Sequence, residues 1–328
     1  MNKHFQSLIL QATAAKQLFK IESIQNLWSG YGEIVRYGLQ GSEYKSVIVK
    51  HVCLPEQNNH PRGWNTDKSH QRKITSYQVE IAWYAQWSER CSDYCRVPRC
   101  LATESAPGEM FILLEDLDAA GFDLRKSKVS DKDIKACLFW LAHFHATFMG
   151  ESPDHLWPTG TYWHLATRPD ELDALQDSAL KQAASLIDQK LQDSHYQTFV
   201  HGDAKLANFC FSRQGNTVAA VDFQYVGGSC GMKDVAYFIG SCLTENECQQ
   251  QEMKLLDYYF SILKQALKHN HKAIDANAVE QEWRALFPLA WTDFHRFIKG
   301  WSPGHWKINS YSERLAQQVI AELHNSSL

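Results

Sequence analysis

The stretch His201-Gly202-Asp203-Ala204-Lys205-Leu206-Ala207-Asn208-Phe209 restricts the fold more than any other. It follows the apolar run Thr198-Phe199-Val200, and a second run, Thr217-Val218-Ala219-Ala220-Val221, ends in Asp222-Phe223-Gln224. Short apolar runs bounded by polar turns read as strands, so two carboxylates and an amide arrive at strand ends. Phosphoryl transfer uses such a set: a carboxylate to accept a hydroxyl proton, and an oxygen-ligand pair to hold Mg²⁺ on a nucleotide's phosphates.

A chain of 328 residues, 44% of them hydrophobic, is long enough for one large domain or two lobes around a sizeable core. The formal charge of −4 gives no general field for nucleic acid or an anionic membrane, so neither is an expected partner and any phosphate binding must be local. Nine cysteines, an odd number in a chain with no signal peptide, indicate reduced thiols and a cytoplasmic protein. Phe5, Leu8, Ile9, Ala12 and Phe19 fall at helical spacing and predict an amphipathic first helix, not a secretory segment. No apolar run reaches the 18 residues a membrane-spanning helix requires.

Residues 21–28 and 34–39 read as strands joined by a hairpin that bears Gly30 and Gly32. Such a tip lets backbone N–H groups approach a phosphate; an ordinary tight turn fits the same residues. Residues 46–52 form a third β-branched run that includes Lys50, which reads either as an edge-strand charge or as a buried ammonium needing a partner. A long polar loop over 53–69 reads as a lid or as an insertion. Beyond it Ile74, Tyr77, Ile81, Tyr84 and Ala85 define a helix with Glu80 beside the stripe. Strands near 99–104 and 109–114 lead into Glu115-Asp116-Leu117, where a hinge is expected.

Past the hinge the pattern becomes helical, over 131–149, 235–243, 247–268 and 283–298, with a last helix after a loop at 301–307. His143 and His145, two apart, and Cys91 and Cys95, which lack a second pair, read as structural side chains and not metal ligands. Strands followed by helices predict an α+β architecture with a cleft between two lobes: an antiparallel β-sheet lobe over 1–116 and a mainly helical lobe over 117–328.

His201-x-Asp203-x-x-x-x-Asn208 followed by Asp222-Phe223-Gln224 resembles the protein-kinase-like superfamily, in its small-molecule branch of aminoglycoside phosphotransferases, choline kinases and ecdysteroid-kinase-like proteins. Val47-Ile48-Val49-Lys50, Glu80 and Leu114-Glu115-Asp116-Leu117 match the lysine strand, the helix glutamate and the hinge of that bilobal fold. The resemblance implies an ATP- and Mg²⁺-dependent kinase acting on a hydroxyl group. Asp203 would be the base, with Lys205 beside it near the γ-phosphate or the substrate and His201 bracing the loop. Asn208 and Asp222 would hold the metal. Lys50, oriented by Glu80, would meet the α and β phosphates, near Gly30 and Gly32; the backbone of Glu115 and Leu117 would meet adenine. Asp234 would support the catalytic loop.

This sequence departs from the protein-kinase pattern: Gly202 stands where the His-Arg-Asp motif has arginine, and Gln224 where Asp-Phe-Gly has glycine. Val35 replaces the third loop glycine, the interval from Lys50 to Glu80 is 30 positions, with Glu89 an alternative partner, and only eleven residues intervene between Asp222 and Asp234 with no Ala-Pro-Glu. The short last interval predicts a small hydroxylated acceptor and no protein substrate. Two other readings compete: a non-catalytic nucleotide-binding module, which should lack at least one of Lys50, Asp203, Asn208 and Asp222, and a metal-dependent hydrolase, which would leave the lysine strand and hinge unexplained. Residues 301–307, with Trp301, His305 and Lys307, are expected to line the acceptor pocket.

Overall fold

The computed structural model describes residues 3–27, 30–54, 67–270 and 273–326. Helix α1 (Lys3–Thr13) ends at Ala14, whose φ of 50° turns the chain out of the helix. Phe19 therefore falls on the first strand instead of extending the helix as its spacing predicted. There it lies over Gly38, its partner on the next strand, where a Cβ would meet the ring at 2.4 Å.

Strands β1 (Gln17–Asn26), β2 (Gly32–Gln40), β3 (Ser46–Cys53), β4 (Cys100–Ala106) and β5 (Glu109–Glu115) form one antiparallel sheet in the order β1-β2-β3-β5-β4. Side chains alternate across a sheet. Val47 and Val49 pack with Phe111 and Leu113 in the cluster that α1 covers, and Phe5 of α1 stacks on Phe111 at 4.6 Å. The intervening Ile48 and Lys50 of β3 face the other side, towards the cleft. Lys50 thus leaves the apolar face without leaving the sheet.

Helix α2 (Asp67–Ala82) covers the cleft end of the sheet, so the last three residues of the expected loop are helical and its first, Cys53, belongs to β3; residues 55–66 lie outside the described part. A five-residue π-helical turn at Trp83–Trp87 continues α2, and Trp83 stacks on Phe223 with ring centroids 4.5 Å apart. Fully buried aromatic side chains each contribute roughly 1.5–3 kcal/mol by burial, with about 0.5–1.5 kcal/mol more for a stacked pair. That contact ties the helix bearing Glu80 to the segment bearing Asp222.

Helix α3 (Asp131–Thr147) starts at a capping box in which Asp133 N–H donates to Ser130 Oγ and Ser130 N–H donates to Asp133 Oδ2. Helices α4 (Pro169–Ala174) and α5 (Ser178–Gln192) follow, in a region for which no elements were predicted. Strand β6 (Thr198–Val200) pairs with β9 (Gly227–Ser229), and β7 (Phe209–Phe211) pairs with β8 (Val218–Ala220). Helices α6 (Met232–Cys242), α7 (Glu245–Asn270), α8 (Ala276–Trp301) and α9 (Ser310–Ser326) complete the lobe. Asp234 lies inside α6 instead of preceding it, and Trp301 is the last residue of α8 instead of a loop residue. No described helix is long and apolar enough to cross a membrane.

Candidate active site

A cavity of about 820 Å³ separates the sheet from the helical lobe, bordered by Lys50, Glu80, Asp203, Lys205, Asn208 and Asp222. Lys50 Nζ lies 2.5 Å from Glu80 Oε2 and 3.8 Å from Asp222 Oδ1. The Lys50 and Glu80 side chains keep only 6% and 3% exposure, so each depends on the other for compensation. Burial raises the Glu80 carboxyl despite that pairing. Glu89, the alternative partner, is an exposed residue of a 3-10 turn and is absent from the cavity wall. The thirty-residue interval is thus bridged by helix packing, with Trp83 as the fixed point.

The loop after β6 is held from behind. Asp234, buried in α6, accepts backbone hydrogen bonds from His201 (2.5 Å) and Gly202 (3.0 Å) and lies 3.3 Å from His145 Nε2. Gly202 has φ 78°, and a Cβ there would sit 2.0 Å from the Tyr225 carbonyl oxygen; only glycine accommodates this approach. His201 is fully buried, accepts from the Asp203 N–H through Nδ1 and reaches the Val221 carbonyl through Nε2. It does not border the cavity.

Asp203 accepts from Lys205 Nζ (2.7 Å) and Asn208 Nδ2 (3.1 Å) at Oδ2, and from Tyr237 Oη (3.2 Å) at Oδ1. Burial lifts its carboxyl above the ordinary aspartate range, the neighbouring Asp222 adds to the rise, and Lys205 opposes it. Asp222 behaves oppositely. Burial pushes its carboxyl up, but Lys50, Lys205 and Lys73 outweigh that and hold it down. Its side chain keeps 38% exposure because it faces the cavity. Asp222 also adopts φ 71°, a conformation that non-glycine residues hold only under constraint and that recurs at functional sites. Gln224 supplies part of that constraint: its Nε2 donates to Asp222 Oδ1 (2.8 Å) and its Oε1 accepts from Lys73 Nζ (3.1 Å).

Two hard oxygen donors are therefore available side by side. Asn208 uses its amide nitrogen on Asp203, which leaves its side-chain carbonyl oxygen for a cation, and Asp222 is an ionised carboxylate on the wall. Such a pair suits Mg²⁺ carried in on a polyphosphate.

Glu115 and Leu117 also border the cavity, and Asp116 between them is anchored by Ser46 Oγ (2.6 Å) and Arg36 Nε (2.8 Å). Gly30 and Gly32 do not border it, whereas Tyr31 between them does. Gly32 has a local reason for its identity, since a Cβ would meet the His51 carbonyl oxygen at 2.0 Å. Of the loop expected to line the acceptor pocket, Trp301 reaches the cavity and His305 and Lys307 do not. Lys307 instead lies 4.8 Å from the Tyr237 ring centre, behind the tyrosine that touches Asp203. Sequence reasoning missed Arg72, Lys73, Tyr162, Arg168, Tyr225, Tyr237 and Phe297 on the wall. Tyr237 alone had a local signal, standing three residues after Asp234 on one face of a helix.

The model of the ecdysteroid kinase-like family matches residues 34–150 and 159–271. No curated protein matches the sequence. Among solved structures, amicoumacin kinase hAmiN in complex with AMP-PNP, Ca²⁺ and Ami is similar with a TM-score of 0.55 at 15% identity, over 99% of this chain and 96% of that one. The aminoglycoside phosphotransferase APH(3'')-Id from Streptomyces rimosus, in complex with ADP and streptomycin, gives 0.49 at 13% identity over 88% and 98%. Choline kinase LicA from Streptococcus pneumoniae gives 0.44 at 12% identity over 98% and 100%. At these identities the likeness to hAmiN is one of fold.

Proposed function

We propose that this chain, which belongs to the ecdysteroid kinase-like family, transfers the γ-phosphoryl group of ATP to a hydroxyl of a small molecule. The observation that carries the reading is the Lys50–Glu80 pair held 3.8 Å from Asp222, in a cavity whose wall also presents Asp203 and Asn208. The same proposal divides the chain into an ATP-binding lobe over 1–116 and a catalytic and substrate-binding lobe over 117–328.

In this reading Asp203 takes the proton of the acceptor hydroxyl as its oxygen forms a bond to the γ-phosphorus, the bond from that phosphorus to the bridging oxygen breaks, and ADP leaves. Lys205, already on Asp203, stands where charge gathers on the transferring group. Lys50 lies against the α and β phosphates, and the backbone of Glu115 and Leu117 against adenine. Asn208 and Asp222 would hold Mg²⁺, which neutralises phosphate charge when bound. The segment after Asp222 supports a small acceptor: it is taken up at once by β9, where a Cβ on Gly227 would meet the Trp157 carbonyl oxygen at 2.1 Å. Between Asp222 and β9 the described chain is too short to form an extended platform for a peptide.

Calorimetric titration with AMP-PNP tests the nucleotide half. The expected affinity is at least about tenfold higher with Mg²⁺ than with EDTA, and Asp222→Ala should erase that difference. Equal affinities in wild-type protein with and without the metal would sink the metal assignment.

A pH profile tests the base. Only ionised Asp203 can accept the proton, and burial raises its carboxyl, so the acid limb of kcat/KM should lie above the ordinary carboxylate range. Lys205→Met removes the opposing positive charge and should move that limb to still higher pH. A limb that stays in place would detach Asp203 from the profile.

A further inference from the structure

Beyond Asp203 the cavity wall changes character. Tyr237 Oη links Asp203 Oδ1 (3.2 Å) to Tyr162 Oη (3.3 Å), and from there the wall continues through Phe297 (5.5 Å from Tyr162, edge on) to Trp301, stacked on Phe297 at 5.9 Å. The charges set against these rings are cationic. Arg168 lies over the Phe297 and Tyr162 rings, at 5.5 and 5.9 Å, and Arg72 donates from Nη1 to the carbonyl of Thr167 (2.9 Å), the residue before Arg168. Two half-buried guanidiniums therefore converge on one end of the cavity, with Lys73 next along α2.

Their neutralisation is incomplete. Arg168 has one carboxylate, Glu171 at 3.1 Å, while Arg72 and Lys73 have no ion-pair partner among the described residues. The carboxylates that border the cavity among the described residues are Glu80, Glu115, Asp116, Asp203 and Asp222; Glu80 shares α2 with Arg72 but is paired with Lys50, and the others lie on the hinge, the loop after β6 and the segment after β8. Burial and the nearby Arg168 both depress the Arg72 guanidinium, against a smaller opposing pull from Glu171, and burial and Lys50 depress Lys73 to about 8, against Asp222 and Glu80. A guanidinium fork matches a planar acid group bidentately. A polycation or quaternary ammonium would instead face like charge here.

Resting on the phosphotransferase reading for the position of its hydroxyl, we infer that the acceptor is an anionic, ring-bearing compound whose acid group sits on Arg72 and Arg168 while its rings lie along Tyr162, Phe297 and Trp301. The same cations could instead serve the phosphates of the nucleotide. Lys73, beside Gln224 and Asp222, is placed for that; Arg72 and Arg168 are turned to the aromatic end.

The test reads binding, not turnover, so it stands apart from the phosphotransfer reading. With ADP and Mg²⁺ present, the affinities of p-hydroxymethylbenzoate, its methyl ester and p-aminomethylbenzyl alcohol are measured by calorimetry at low salt. The acid is expected to bind about tenfold or more tighter than the ester, as a charge-assisted hydrogen bond allows, and the amine weakest. Arg72→Gln should remove the preference of acid over ester, and Arg72→Lys should retain part of it, which separates a lost charge from a misfolded pocket. Equal affinities, a preference for the amine, or no binding by any of the three would overturn the inference. So would an Arg72→Gln protein that keeps the acid preference but loses affinity for AMP-PNP, since the cation would then belong to the nucleotide.

Discussion

Asp203→Asn is expected to lower kcat by roughly 10²–10⁴-fold, the range associated with loss of a positioned general base. The substitution keeps the shape of the side chain. Its Oδ1 can still accept from Lys205, Asn208 or Tyr237, all within 3.2 Å of the present carboxylate. Lost are the capacity to take a proton and the negative charge opposite Lys205. Nucleotide affinity, which the proposed function assigns to Lys50, Asp222 and the hinge, should change far less than turnover. Steady-state ADP release alongside AMP-PNP titration separates the two. A kcat within about threefold of wild type would remove Asp203 from the chemistry, since even a weak general base contributes ~10²-fold.

The largest stability effect is expected away from the cleft. Asp293 on α8 is fully buried, and its carboxylate receives Lys233 Nζ at 3.4 Å, Arg296 Nη2 at 2.8 Å and Trp163 Nε1 at 3.1 Å. Two buried cations share this single carboxylate. Burial alone pushes its carboxyl up, but Lys233 and Arg296 outweigh that and hold it at about 2. Asp293→Ala leaves both cations uncompensated and should cost about 3–5 kcal/mol, a fall in Tm on the order of 10 °C.

The pH dependence has a definite sign. The folded-state value of about 2 lies below the ordinary aspartate value near ~3.9, so the contribution is complete above that value and disappears as pH falls through about 2. Denaturation of both proteins from pH 7 downwards should therefore give a constant difference that shrinks only in strong acid. A loss well under 1 kcal/mol at pH 7 would mean that water, not Asp293, compensates Lys233 and Arg296.

Lys50, Asp203 and Asn208, marked by sequence reasoning, border the cavity at positions that follow from local geometry, whereas Gly30 and Gly32, marked with them, do not border it. Lys50 faces the cleft because strand alternation puts Val47 and Val49 on the other face, and Asp203 and Asn208 share one tight loop closed by Gly202. Glu80 needed tertiary information, since its approach to Lys50 depends on Trp83 stacking on Phe223. The acceptor end was not legible. Arg72 and Thr167 are 95 residues apart, and Tyr162 and Phe297 meet across a still longer interval, so no periodicity or spacing announces that they share a wall. The loop at 301–307 was over-read for a related reason. Its aromatic and basic composition suited a pocket, but α8 runs on to Trp301, the one residue of 301–307 that reaches the cavity, and Lys307 is turned behind Tyr237.

The most direct test of phosphoryl transfer is phosphorus NMR of the protein with ATP, Mg²⁺ and a panel of hydroxylated ring acids. The account predicts a new phosphate-ester resonance in step with ADP for at least one acceptor, absent with Asp203→Asn. Inorganic phosphate as the sole product whatever acceptor is present, or an undiminished ester signal from Asp203→Asn, would contradict it.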